Sequence, residues 1–188
     1  DPSFSVPAVE HESPQYDLLY VASLIKENGV EHLIRAMDYL PSDVSLSIVG
    51  SGDRRQYLQS VAAELDLSDQ ITFVGHVPYA EVRRQYATAD CFVHPGVWPE
   101  PFGRTILEAM QAGLPVVTTD IGGPSEVVPQ AELRCTPRDP EALATAIGSA
   151  RKQPAIGAKN KSFVSQRFSP EVVLDQLYAV YGRAIDSK

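Results

Sequence analysis

The chain alternates short apolar runs with amphipathic segments, and this alternation restricts its possible folds more than any other feature. The apolar runs are rich in Val, Ile, Leu and Phe, which is typical of strands buried on both faces. The segments between them repeat their apolar residues at helical spacing. Strands that are each followed by a helix form a parallel sheet covered on both sides. The sequence therefore predicts an α/β fold, a Rossmann-like doubly wound parallel sheet.

The predicted elements occupy one domain at residues 17–188, behind a linker or leading tail at 1–16 that carries Pro2, Pro7 and Pro14. Strands are predicted at 17–24, 44–50, 70–75, 90–95 and 115–120, and a short one near 132–136. Helices are predicted at 29–40, 53–67, 79–88, from Arg104 onward, and near 139–152, 155–167 and 170–186.

Composition excludes some classes of partner. The 188 residues carry a formal net charge of −8, which argues against nucleic acid or an anionic membrane as the main ligand. There is no apolar run of membrane-spanning length and no signal-peptide pattern, so we expect a cytoplasmic protein. Cys91 and Cys135 fall in strand-like runs without metal-ligand spacing, and we expect buried, reduced thiols.

Two glutamates stand out in the stretch HPGVWPEPFGRTILEAM, residues 94–110. Glu100 lies in a Pro/Gly-rich turn and Glu108 lies two helical turns further on. One interpretation is structural, because Arg104 and Glu108 are four apart and can form an exposed ion pair contributing ~0.2–0.5 kcal/mol. The other is functional, because the turn follows a predicted strand and ligands of doubly wound sheets bind at the carboxyl ends of strands.

The turn before this helix has the chemistry of an anion site. Phe102 and Gly103 lead into a helix whose free amides, around Arg104 and Thr105, suit a diphosphate even in an acidic protein. The Arg104 guanidinium can add a bidentate phosphate contact. Glu100 and the helical Glu108 could then hold hydroxyl groups on either side of the diphosphate, as in a nucleotide-sugar.

A second glycine-containing turn, GSGD at residues 50–53, follows the second predicted strand. Gly52 would let a ligand approach the backbone there, and the following helix could hold an anion. The segment lacks the third glycine of a dinucleotide-binding fingerprint, so an ordinary turn is the alternative.

Five segments resemble, in order, the donor-binding, C-terminal half of retaining GT-B glycosyltransferases of the group 1 family. The resemblance covers nearly all of the chain after residue 16, and its most specific part is the Glu-x7-Glu spacing followed by EAMQAGLPVV and GGPSEVV. The segments are VASLIKENGVEHLIRAM, SLSIVGSGDRRQYLQSVAAELDL, ITFVGHVPYAEVRRQYATADCFVHPG, PEPFGRTILEAMQAGLPVVTTDIGGPSEVV and PRDPEALATAI.

The resemblance implies a role for particular residues. Glu100 is similar to the glutamate that contacts the donor sugar at the reaction centre, and Glu108 to the one that holds the nucleotide ribose. The backbone from Phe102 to Thr105 would meet the sugar and the diphosphate. The backbone near His76 and Val77 would meet the base.

Two positions depart from the family pattern. The family has an Arg after its first strand and a Lys four to five residues later, and both side chains contact the donor diphosphate. At the corresponding positions this chain has Ser23 and Asn28. Lys26 lies close in sequence, and Lys26 with Arg104 could replace the two cations. Without replacement, two charge-assisted contacts of ~1.5–3 kcal/mol each would be missing.

Three further residues near the site have open interpretations. His94 is either a packed histidine or a catalytic one. Trp98 shapes the sugar pocket, is an exposed loop aromatic or belongs to a domain interface. Glu126 either caps and orients its helix or contacts the ligand.

Two functions therefore compete. The first is a retaining hexosyltransferase domain that binds a nucleotide-diphosphate sugar without cofactor or metal, and that cannot turn over alone because the acceptor half is absent. The acceptor, a sugar, lipid or other carrier, would bind that N-terminal half. Association with a membrane through the same half is a further option. The second is a non-catalytic nucleotide-sugar-binding module with a degenerate donor site. A GT-B sugar epimerase is a third option, without support from PEPFGRTILEAM.

Overall fold

The computed structural model describes residues 14–186, and the strands within this range form one parallel sheet. The strands are β1 Tyr16–Val21, β2 Leu46–Val49, β3 Ile71–Gly75, β4 Ala89–His94, β5 Val116–Thr119 and β6 Arg134–Cys135. Their order in the sheet is β3-β2-β1-β4-β5-β6. This arrangement confirms the predicted Rossmann-like doubly wound fold.

Helices connect the strands and cover the sheet in two groups. The helices are α1 Val30–Met37, α2 Arg55–Glu64, α3 Tyr79–Tyr86, α4 Arg104–Ala112, α5 Gly123–Val127, α6 Pro140–Arg151, α7 Ile156–Arg167 and α8 Pro170–Asp186, with 3-10 turns at Lys26–Asn28 and Ala131–Leu133. One group joins α1 to α2 and α6, and the other joins α4 to α3 and α7. The short α5 contains Glu126, for which the sequence analysis implied a helix without giving its bounds.

The strands are buried on both faces, as their near-continuous apolar sequence indicates. Adjacent residues Leu18 and Leu19 in β1, and Phe92 and Val93 in β4, are all fully buried although neighbours point to opposite faces. Each such side chain contributes ~1.5–3 kcal/mol through burial. Cys91 is also buried and free, and burial raises the pKa of its thiol to about 12.

Cys135 is likewise buried and free, so the prediction of two reduced thiols is confirmed.

Helix α6 shows a further local signal in the sequence. The Asp139 side chain accepts a hydrogen bond of 3.0 Å from the Ala142 amide, and Pro140 occupies the first turn.

The first strand differs from its predicted bounds. It begins at Tyr16, one residue inside the predicted tail, and it ends at Val21 rather than at residue 24. The chain turns there because the Ser23 carbonyl accepts hydrogen bonds from the Tyr20 hydroxyl (3.0 Å) and the Asn28 side-chain amide (2.8 Å). The remainder of the predicted tail, residues 1–13, lies outside the described residues.

Helix α8 stands apart from the core. It packs mainly on α7, and most of its side chains are exposed. The exposed apolar side chains are Val173, Leu174, Leu177, Tyr178, Val180, Tyr181 and Ile185. A search of residues 14–186 finds no helix with the length and apolar character needed to cross a membrane.

Candidate functional site

The site lies where the strand order reverses, between β1 and β4. Loops leaving the carboxyl ends of these two strands meet there, and the Val97 amide donates to the Glu27 carbonyl at 2.9 Å. Gly29 has a φ of +69°, and a Cβ at this position would overlap the carbonyl oxygen of Pro95. Such a reversal point opens a crevice at the sheet edge, which is the usual ligand position in this class of fold.

Gly103 places the carboxylate of Glu100 beside the first turn of α4. Its φ of +80° is a left-handed conformation that favours glycine. A Cβ at Gly103 would lie 2.8 Å from Ile106 Cδ1 and 3.0 Å from Glu100 Oε1. The free amides at the start of α4 and the Glu100 carboxylate therefore share one small region.

A pair of glycines holds the backbone of Glu100. The Gly123 amide donates to the Glu100 carbonyl at 2.9 Å. Gly122, with a φ of +65°, has no room for a Cβ, which would lie 2.7 Å from the same carbonyl oxygen. The GGPSEVV motif thus anchors the turn that carries Glu100.

His94 lies beneath this carboxylate. The side chain is 5% exposed, and its Nε2 lies 3.6 Å from Glu100 Oε2. The neighbouring His94 imidazole lowers the pKa of Glu100, so this carboxyl is ionised at neutral pH. Within the described residues, His94 Nδ1 is buried without a hydrogen-bond partner. The packed position and the contact with Glu100 make His94 a support for that carboxylate.

Glu108 lies half-buried between α3 and α4, and not in open solvent. Its Oε2 accepts a hydrogen bond from the Tyr86 hydroxyl at 2.8 Å, and its Oε1 accepts one from the Tyr79 hydroxyl at 3.4 Å. Burial raises the pKa of Glu108, while these tyrosines and the charges of Arg104 and Arg83 partly oppose the rise. The carboxylate is therefore held by neutral donors in a partly desolvated position.

The ion-pair interpretation of the same helix is not supported. The salt bridges found between residues 14 and 186 do not include an Arg104–Glu108 pair. Arg104 is exposed in the first turn of α4, and Thr105 next to it is partly exposed. Both remain available to a ligand at the helix start.

A cleft of about 170 Å³ opens at the carboxyl ends of β1, β2 and β3. Predicted residues His76 and Val77 belong to its lining. The other lining residues are Val21, Ala22, Ser23, Val49, Gly50, Ser51 and Val82. The cleft thus has largely apolar walls at the sheet edge where a base was predicted to bind.

Gly52 has a packing role that the sequence did not indicate. A Cβ on Gly52 would lie 2.7 Å from the carbonyl carbon of Leu24, and the Leu24 amide donates to the Ser51 carbonyl at 2.9 Å. The glycine lets the loops after β1 and β2 pack backbone to backbone. Its contact with a ligand stays a prediction.

The positions that depart from the family pattern, Ser23 and Asn28, bond to each other through the Ser23 carbonyl and the Asn28 side chain. Lys26 is exposed in the 3-10 turn between them. The cations whose charge acts on Glu108 are Arg104 and Arg83. Replacement of the family's two cations by Lys26 and Arg104 stays a prediction.

The remaining candidates lie at the periphery. Trp98 is 49% exposed. Phe102 is 40% exposed, and its ring meets the edge of Phe168 with centroids 5.6 Å apart. Glu126 is exposed in the first turn of α5, where no side-chain cap hydrogen bond forms. Between residues 14 and 186, no group of three His, Cys, Asp or Glu side chains could hold a metal ion.

Sequence reasoning missed Tyr79, Tyr86 and Arg83, which surround Glu108. A signal was present, because Tyr79 and Tyr86 are seven residues apart and so share a face of the predicted helix. Nothing in the sequence alone shows that this face meets α4.

The fold and the site together define a class of protein. It is an α/β domain in which two carboxylates flank the start of a helix, at the switch point of a parallel sheet. Comparison with known proteins gives the family. The sequence profile described as "Glycosyl transferases group 1" matches residues 4–180. The chain belongs to this family.

Individual relatives agree. Over 134 residues, or 69% of the chain, it is 36% identical to an uncharacterized glycosyltransferase of Methanocaldococcus jannaschii and covers 34% of that protein. Over 160 residues, or 82% of the chain, it is 35% identical to glycogen synthase of Mycobacterium tuberculosis and covers 38% of that enzyme.

A solved structure of Anabaena HepE in complex with UDP superposes with a TM-score of 0.82 and 27% identity. The match covers 90% of this chain and 49% of HepE. The chain thus spans less than half the length of these three proteins. The fold is that of one half of a GT-B glycosyltransferase.

Proposed function

We propose that this chain is the donor-binding domain of a glycosyltransferase that transfers a sugar from a nucleoside diphosphate, with retention at the anomeric carbon. The observation that carries the proposal is the position of Glu100 and Glu108 on either side of the start of α4. Glu108 would accept hydrogen bonds from the ribose, and Glu100 from the donor sugar. UDP in the HepE structure supports a ligand of this class.

The chain's own groups would favour departure of the diphosphate. The amides at the start of α4 and the Arg104 guanidinium would stabilise the negative charge that develops as the sugar–oxygen bond breaks. An ionised Glu100, held by His94, would orient the sugar hydroxyls. The acceptor, a sugar, lipid or other carrier, would bind the other half of the GT-B fold.

Calorimetric titration of the 188-residue chain with UDP, GDP and ADP tests this proposal. We expect at least one of the three to bind, and the matching nucleoside to bind more weakly because it lacks the diphosphate. Glu108→Ala should abolish binding of the diphosphate while the circular dichroism spectrum stays unchanged. Loss of stability with intact binding would instead assign Glu108 a structural role.

A second function, a non-catalytic binding module, is favoured by one observation. Ser23 and Asn28 are uncharged and bond to each other, so neither supplies a cation to a diphosphate. Absence of binding by UDP, GDP and ADP at millimolar concentration would favour this function over the first.

A further inference from the structure

The carboxylate of Glu108 is held by two tyrosines of α3, one on each oxygen. The Tyr86 hydroxyl donates to Oε2 at 2.8 Å, and the Tyr79 hydroxyl donates to Oε1 at 3.4 Å. The tyrosines lie seven residues apart, which is about two helical turns, so they project from the same face of α3. Helix α3 therefore donates two hydrogen bonds from one face to the Glu108 side chain of α4.

The two tyrosines differ sharply in burial. Tyr86 is fully buried, and its ring packs at 58° against the ring of Phe92 with centroids 5.8 Å apart. A buried hydroxyl that loses its acceptor is costly because no water can replace the hydrogen bond, so Tyr86 holds Oε2 firmly. Tyr79 is 56% exposed, so water can replace the Glu108 carboxylate as the acceptor of its hydroxyl.

The hydrogen-bond lengths follow the same division. A distance of 2.8 Å is ideal for a hydroxyl donor, whereas 3.4 Å is longer than the usual range for a hydroxyl donor and marks a weak contact. The contact to Oε2 is thus short and enclosed, and the contact to Oε1 is long and open to solvent. Oε1 is therefore the oxygen whose tyrosine a ligand hydroxyl could displace more easily.

Building on the proposed function of Glu108, we propose that Tyr86 is a positioning residue for ribose recognition and that Tyr79 covers the ligand-facing oxygen until a nucleotide binds. Tyr86 keeps the carboxylate oriented, with Oε1 outward. The Tyr79 hydroxyl occupies the position on Oε1 that a ribose hydroxyl takes, so it moves aside when the nucleotide binds. One tyrosine therefore strengthens binding and the other opposes it.

Two conservative variants test the proposal, Tyr86→Phe and Tyr79→Phe, each titrated with UDP, GDP and ADP and with their 2′,3′-dideoxy counterparts. Tyr86→Phe should weaken the ribonucleotide about 10-fold, the loss expected for ~1.4 kcal/mol of hydrogen bonding, and leave the dideoxynucleotide unchanged. Tyr79→Phe should strengthen the ribonucleotide ~2- to 5-fold and also leave the dideoxynucleotide unchanged. Tyr39→Phe, at a tyrosine 57% exposed and remote from Glu108, is the control.

The dideoxynucleotide separates positioning from structural support. Equal losses for both ligands in Tyr86→Phe, or no loss for either, would overturn the role of Tyr86. Weaker ribonucleotide binding in Tyr79→Phe would overturn the role of Tyr79, and this exposed substitution does not endanger the fold. If the wild-type chain binds none of the three nucleotides, the proposed function fails and this inference fails with it. If it binds one and both variants match it, only the inference fails.

Discussion

The two candidate glutamates occupy electrostatically opposite environments, and this difference predicts opposite effects on stability. Burial raises the pKa of Glu108 above its ordinary value of 4.5, whereas the neighbouring His94 imidazole lowers the pKa of Glu100 below the same value. The ionised form of Glu108 is therefore disfavoured in the folded state, and that of Glu100 is favoured. The proposed ligand-binding role would explain why the chain keeps a carboxylate that costs stability.

Glu108→Gln should therefore stabilise the fold at neutral pH. Well below pH 4.5 the carboxyl is protonated in both folded and unfolded states, and the variant should approach the wild type. As pH rises through 4.5 and the raised folded pKa, the wild type loses stability that the uncharged variant retains. Melting temperatures measured from pH 3.5 to 7.5 check this, with the difference expected to grow toward pH 7.5.

The matched control is Glu100→Gln, for which the sign reverses. The lowered pKa makes wild-type Glu100 a stabilising group above pH 4.5, and this contribution is lost as pH falls through the folded pKa. The variant should melt below the wild type at pH 7.5 and approach it at low pH. If both variants shift in the same direction, the electrostatic assignment of one glutamate is wrong.

Helix α4 offers a test of the turn that carries Glu100. Gly103 and Gly113 flank this helix with φ values of +80° and +88°. A Cβ at Gly113 would meet nothing within 4 Å, whereas one at Gly103 would meet Ile106 and Glu100. Alanine at either position pays for the left-handed conformation, at ~1–3 kcal/mol. Gly103→Ala should lose more stability than Gly113→Ala, and it should also weaken nucleotide binding.

Chemical denaturation and calorimetric titration of both variants make the measurement. Gly113→Ala reports the backbone cost by itself, because there is open space around its new methyl group. Equal stability losses would show that Ile106 and Glu100 move aside freely. Equal affinities would remove this turn from the site.

Most elements could be predicted because their signals are local. The apolar period of β4 and α4, and the Asp139-Pro140 start of α6, are written in consecutive residues. The end of β1 could not be predicted from the sequence, because it depends on a hydrogen bond from the Asn28 side chain to the Ser23 carbonyl. The short α5 depends on Gly122 and Gly123 packing against the Glu100 turn.

The residues that the structure describes divide into a packed sheet domain, residues 16–168, and the exposed helix α8. A chain that ends at Ser169 should keep a melting temperature close to that of the wild type, because α8 buries very little apolar surface. Differential scanning calorimetry checks this. A second truncation, ending at Pro154, also removes α7 and its buried residues Ile156, Asn160 and Val164, and should unfold the domain.

This division of the molecule requires the two truncated chains to differ in stability. A large loss of stability on removing α8 alone would mean that the helix supports the core. The exposed apolar side chains of α8 also predict that the chain ending at Ser169 is more soluble than the 188-residue chain.

The sequence by itself determined the fold class and predicted the candidate site with its two glutamates, because strand and helix periods and the spacing of Glu100 and Glu108 lie along the chain. Only the tertiary structure decided what surrounds those glutamates. His94 meets Glu100 and two tyrosines meet Glu108 because separate elements pack at the reversal point of the sheet. Side-chain contacts between elements distant in sequence depend on how helices pack on the sheet, and no local period encodes them.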